Sequence, residues 1–141
     1  FKHSLAYNNF DETTDIRQYG GTAITINDTL SYKLIQNGKD KLGRWTWMKL
    51  QGRNSRIVTL VSAYRPVVSK EPGSVYNQHL RRFQTQDIKN SHGEIANPRE
   101  QFWIDLGDTL KDFYESGNTI ILGMDCNEDV RNSKIRTFFN N

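Results

Sequence analysis

A single cysteine, Cys126, is all the chain has. No internal disulfide can form and no multi-cysteine zinc site exists. A chain without disulfides suits a reducing compartment, so an intracellular location is favoured and the exact compartment stays open. No run of about 18 apolar residues occurs, so no membrane-spanning helix is expected. No signal peptide precedes the first predicted strand, and there is no internal repeat or low-complexity tract. An initiator Met is missing too: the chain opens on Phe1 and stops at Asn140-Asn141. Apolar residues make up 35% and the mean hydropathy is −0.74, polar for a self-contained domain. These features predict that residues 1–141 are part of one larger domain, with N- and C-terminal portions missing.

Charge of one sign is scarce in two places. Residues 31–56 carry seven Lys/Arg against one Asp, a local balance of +6. Residues 94–129 carry two Lys/Arg against nine Asp/Glu, a local balance of −7. A basic segment beside an acidic one suits an enzyme that attracts a polyanion and holds a cation at its centre. Two solvated surfaces are the alternative.

The pattern along the chain alternates between strand and helix signals. Residues 1–19 are polar and irregular and read as a loop or chain end. Gly20-Gly21 opens a β-branched strand, Thr22 to Ile26. Residues 29–36 form a candidate second strand, closed by the turn signal Asn37-Gly38. Arg44 to Leu50 and Ile57 to Tyr64 read as an antiparallel hairpin around Gln51-Gly52-Arg53-Asn54. Both faces of the second arm are largely apolar, which places it centrally in a sheet covered on both sides. Ser74 can cap a helix carrying Tyr76, Leu80 and Phe83. Asn97-Pro98-Arg99-Glu100 is a helix start, with Phe102, Leu106, Leu110 and Phe113 as its apolar stripe and Gly117 as its stop. Thr119 to Met124 is the next strand, and another helix is expected from about residue 130. The order fits an α/β layered sandwich, with helices packed on one face of a mixed sheet.

The stretch with most chemical content is Ile120-Ile121-Leu122-Gly123-Met124-Asp125-Cys126-Asn127. It reads as a buried strand ending in an acid and an amide two residues apart. If extended geometry continues that far, Asp125 and Asn127 point to the same side. Such a pair can hold a hard cation and a phosphate oxygen, which suits metal-assisted phosphoester hydrolysis. The competing reading is an Asx turn after the strand.

In the same order come Gly20-Gly21-Thr22-Ala23-Ile24, Gly43-Arg44-Trp45, Val61-Ser62-Ala63-Tyr64-Arg65-Pro66, Arg99 with Phe102, and Leu122 to Asn127. This ordered set, across roughly residues 20–130, resembles the endonuclease/exonuclease/phosphatase superfamily, which has the DNase I-like fold. In that family Gly and Asp are adjacent at the strand end. Here Met124 stands between Gly123 and Asp125, which predicts a shifted or bulged strand end. Tyr64-Arg65-Pro66 and Asn127-Glu128-Asp129 look like the endonuclease domains attached to reverse transcriptases of non-LTR retroelements.

The resemblance implies a Mg²⁺-dependent enzyme, with Mn²⁺ as a substitute, that nicks DNA. It implies a reverse transcriptase domain as partner in the longer chain and a nuclear location. Asp125 would orient the attacking water or bind the metal through it. Asn127 would donate to the scissile phosphate, and Tyr64 would stabilise charge developing on a phosphate oxygen. Arg65 is a candidate phosphate contact or a solvated cation. The main metal-binding Glu is expected upstream of Phe1 and a final His beyond Asn141. Two alternatives stay open: a phosphatase or phospholipase of the same fold, and a non-catalytic nucleic-acid-binding fragment. Glu128 and Asp129 read as outer metal groups or exposed helix-start acids. Trp45 and Trp47 share a strand face and read as core or as a surface for bases. His79 reads as exposed, and Cys126 as a small buried residue.

Overall fold

A computed structural model of the chain describes residues 1–6, 20–129, 131 and 133–140. Its elements are β1 (Lys2–Ala6), β2 (Thr22–Ile26), α1 (Asp28–Ser31), β3 (Leu34–Lys39), β4 (Trp45–Gln51), β5 (Ile57–Tyr64), α2 (Val75–Thr85), α3 (Pro98–Glu115), β6 (Thr119–Asp125) and α4 (Ser133–Asn140). β3, β4, β5 and β6 form a mixed sheet in that order. The first two pairings are antiparallel and β5–β6 is parallel. β1 and β2 pair antiparallel as a separate two-stranded sheet. The architecture is α/β with a mixed sheet.

The sheet is covered differently on its two faces. On one, Trp45, Val61 and Ala63 pack against Phe102, Leu106 and Phe113 of α3, with Ile120, Leu122 and Met124 of β6 beside them. The stripe of α3 is the one its spacing predicts. On the other face, Met48 and Leu50 pack with Ile26 and Ile24 of β2. Burying these side chains contributes roughly 2 kcal/mol each. A hydroxyl pair ties the layers together. Thr46 donates to the Gly38 carbonyl at 2.9 Å, and Ser4 Oγ lies 2.6 Å from the same Thr46 oxygen in the buried interior. β6 lies beyond this second cover. Its Thr119, Ile121, Gly123 and Asp125 are all exposed, while Ile120, Leu122 and Met124 are half-buried.

Both helix caps form as expected. Ser74 accepts from the Asn77 N–H, and Asn97 accepts from Arg99 and Glu100 with Pro98 in the first turn. Gly117 closes α3 at φ 77°.

Four expectations are corrected. Residues 2–6 of the expected N-terminal loop are a strand, while residues 7–19 lie outside the described residues. The strand expected over 29–36 is a short helix followed by β3, and β3 runs through Asn37-Gly38 instead of turning there. Gly38 has a packing reason to be glycine. A Cβ on it would sit 2.4 Å from the Trp47 ring, so the indole needs the bare backbone. The parallel β5–β6 register runs without a shift from Val58↔Thr119 to Tyr64↔Asp125, so Met124 introduces no bulge. The last helix begins at Ser133.

Candidate functional site

The parallel register makes Tyr64 and Asp125 direct partners at the C-terminal ends of β5 and β6. Val61 and Ala63 face α3, so by alternation Tyr64 points to the opposite face, as do Ile121, Gly123 and Asp125. Neighbouring strands lie about 4.8 Å apart, so the two side chains stand side by side. Asp125 is exposed and Tyr64 half-buried. Among the described residues the Tyr64 hydroxyl has no hydrogen-bond partner. A carboxylate and an unengaged phenol therefore share the open end of the sheet.

Asn127 is placed differently from the expectation. β6 ends at Asp125, and Asn127 turns into the left-handed region at φ 47°. Its backbone N–H donates to Asp125 Oδ1 at 3.1 Å, and its side-chain amide donates to the Arg65 carbonyl at 2.7 Å. The pair is thus an Asx-type turn, with Asn127 fastening β5 to β6. The premise of continued extended geometry fails at this residue.

Arg65 is neither solvated nor open to a ligand: it is 2% exposed. Its Nη1 donates to Glu128 Oε2, and its Nε donates to the Arg99 carbonyl at 3.1 Å. The guanidinium lies 4.9 Å from the Trp103 ring centroid. Burial, with the nearby Arg99 charge, lowers the Arg65 pKa, and Glu128 opposes the shift. Arg99 reaches the same place from the start of α3. It donates to the Pro66 carbonyl at 2.6 Å and to the Asn127 carbonyl at 3.2 Å. Two arginines and one glutamate thus stitch the exit of β5, the start of α3 and the turn after β6 into one brace behind Asp125. Arg65 is a positioning residue here. Glu128 is part of the brace rather than a helix-start acid, while exposed Asp129 pairs with Arg131 at 2.7 Å. Cys126 is buried, as expected, with Sγ 3.7 Å from the Glu128 carbonyl.

The charge runs are also redistributed by folding. Arg44 is buried between Asp40 and Asp105, 2.7 Å from each, and lies 4.5 Å from the Trp45 ring centroid. Lys49 sits over Trp47 and Phe113. Two acids of the 94–129 segment, Asp105 and Glu128, neutralise buried arginines. Trp45 and Trp47 belong to the core. His79, expected on the surface, is 1% exposed with Nε2 3.1 Å from the Leu42 carbonyl. Burial, reinforced by Arg44, lowers its pKa to about 4.

Among the described residues no group of three or more His, Cys, Asp or Glu converges on one point. Mg²⁺ favours about six oxygen ligands, commonly one or two carboxylates plus waters. Exposed Asp125 fits as one such ligand.

Sequence reasoning gave no role to Arg99 or Glu128 in the brace. The partners come from segments far apart in the chain, so no local pattern announces them. No protein-family model matches this sequence, and neither the curated proteins nor the solved structures include a match to it.

Proposed function

We propose that the chain carries part of a phosphodiester-hydrolysing site, most consistent with a DNA-nicking endonuclease of the DNase I-like kind. The observation that supports it best is the pairing of exposed Asp125 with Tyr64, whose hydroxyl has no hydrogen-bond partner among the described residues. In this reading Asp125 orients water and accepts its proton. Tyr64 donates to a phosphate oxygen as charge develops there. Asn127, Arg65, Arg99 and Glu128 hold the turn that aims Asp125. Bound Mg²⁺ or Mn²⁺ would take Asp125 as one ligand and polarise the water. A reverse transcriptase domain in the same longer chain, as in non-LTR retroelements, belongs to the same proposal.

The distribution of cations favours a long polyanion over a lipid or inositol headgroup. Exposed Lys39 and Lys41 lie at the Asp125 end of the sheet, and exposed Lys33, Arg53 and Arg56 at the other. The seven residues of β4 separate them by about 20 Å. One headgroup cannot touch both groups, whereas a nucleic-acid backbone can.

A second reading, a nucleic-acid-binding module without turnover, is favoured by the turn geometry at Asp125–Asn127. Nicking of supercoiled plasmid with Mg²⁺, by the protein made from its whole reading frame, separates the two. Asp125→Ala should lower the nicking rate roughly hundredfold or more while DNA affinity stays within about twofold. Binding without nicking in the parent protein would replace the enzyme reading by the module. The 141-residue chain by itself should bind Mg²⁺ weakly and nick negligibly.

A further inference from the structure

Beside Tyr64 the structure has a recess of about 220 Å³, bordered also by Val67, Ser69, Glu71, Ser74 and Val75. It is built from a pinned loop. Ser69 Oγ accepts from the Glu71 N–H at 3.1 Å, and the Asn77 amide donates to the carbonyls of Ser69 and Glu71 at 2.9 and 2.7 Å. Gln78 donates to the Gly73 carbonyl at 2.7 Å, and Ser74 caps α2. Gly20 shuts the far rim at φ 74°. A Cβ there would meet Val75 Cγ2 at 2.6 Å, so the backbone already lies against the valine.

Within this fixed frame the Glu71 carboxylate has neither an ion pair nor a hydrogen bond among the described residues. An exposed carboxylate on a backbone pinned at its N–H and carbonyl, with both oxygens unused, is an acceptor for a pair of N–H donors. Val67 and Val75 add apolar surface to the recess and Tyr64 an aromatic border, against which a flat ring can pack. The volume is below the roughly 300 Å³ at which pockets for drug-sized ligands begin, so one ring system fits better than a whole nucleotide.

We infer that this recess is a base-binding subsite selective for guanine, adjoining the phosphate position at Tyr64 and Asp125. The inference rests on the reading of that strand end as a nucleic-acid site. Guanine alone among the four bases presents two adjacent N–H donors, N1–H and the 2-amino group, on its pairing edge. Adenine and cytosine offer one amino group beside a ring-nitrogen acceptor, which a carboxylate repels. Thymine flanks its single N–H with two carbonyls. The edge is occupied in a duplex, so the guanine must be single-stranded or turned out of the stack.

Titration of the protein with guanosine, inosine, adenosine and thymidine, followed by NMR shifts of the 64–77 segment, tests this without requiring turnover. Guanosine should bind best, and inosine, which lacks the 2-amino group, roughly tenfold more weakly. Glu71→Gln, on an exposed loop, should remove the guanosine preference while shifts elsewhere stay unchanged. Equal binding of all four nucleosides, no binding of guanosine at millimolar concentration, or a preference that survives Glu71→Gln would each overturn the subsite. Selective guanosine binding in a protein that does not nick DNA would uphold the subsite and sink only the hydrolytic reading.

Discussion

At Asn127 the backbone enters the left-handed region, which costs a residue bearing a Cβ about 1–2 kcal/mol and is tolerated best by glycine and short amides. The Asn127 amide also satisfies the Arg65 carbonyl, a bond worth about 1 kcal/mol net. Asn127→Ala loses both and should destabilise the protein by about 2 kcal/mol. Asn127→Gly keeps the backbone relaxed and should cost about 1 kcal/mol. Urea denaturation of the two variants gives the order; equal losses would mean that the left-handed turn contributes nothing. The same residue type was expected at the phosphate, and that expectation was reasonable from spacing alone. What spacing could not convey is that the strand stops at Asp125.

The elements differ in how they keep charge inside. α2 carries His79 into the interior beside Arg44 of the β3–β4 connection. Burial is the main cause of its lowered pKa, the Arg44 charge adds to it, and the Leu42 carbonyl and Asp40 oppose it. The folded imidazole stays neutral down to pH about 4, whereas the unfolded one takes a proton near 6.5. Between those values the unfolded state binds more protons. Its contribution is therefore complete above pH 6.5 and declines as pH falls toward 4, by at most about 3 kcal/mol. Urea midpoints at pH 7.5, 5.5 and 4.5 should show this decline. His79→Gln should flatten the part between 6.5 and 5.5, where few carboxylates titrate. An unchanged slope in the variant would assign the acid sensitivity to other groups. The exposure expected for His79 came from its place on a polar-looking helix. Its burial depends on the loop around Leu42, 37 residues away.

At the scale of the whole molecule, folding splits one basic segment into two exposed groups and an internal remainder. Arg44 and Lys49 are held among acids and rings, while exposed Lys39 and Lys41 lie at one sheet end and exposed Lys33, Arg53 and Arg56 at the other. Lys39→Glu with Lys41→Glu, and separately Arg53→Glu with Arg56→Glu, should each weaken DNA binding. Each pair should also reduce the steepness of its salt dependence by about one to two released counterions. Binding measured from 50 to 200 mM salt distinguishes this from a single-ended site, for which only one pair would matter. Among the described residues no helix is long and apolar enough to cross a membrane.

Periodicity and capping are local, and they were legible: the Ile57–Tyr64 and Thr119–Asp125 strands, the Ser74 and Asn97 caps and the stripe of α3 follow from residue type and spacing. The pairing of Tyr64 with Asp125 was implied in part, because both were placed at strand ends. Tertiary structure alone decided the fate of the charges. Arg65 meets the Arg99 carbonyl across 34 residues and Glu128 across 63. A guanidinium is solvated or buried according to whether such distant groups arrive to desolvate and neutralise it, and no short window of sequence contains that information.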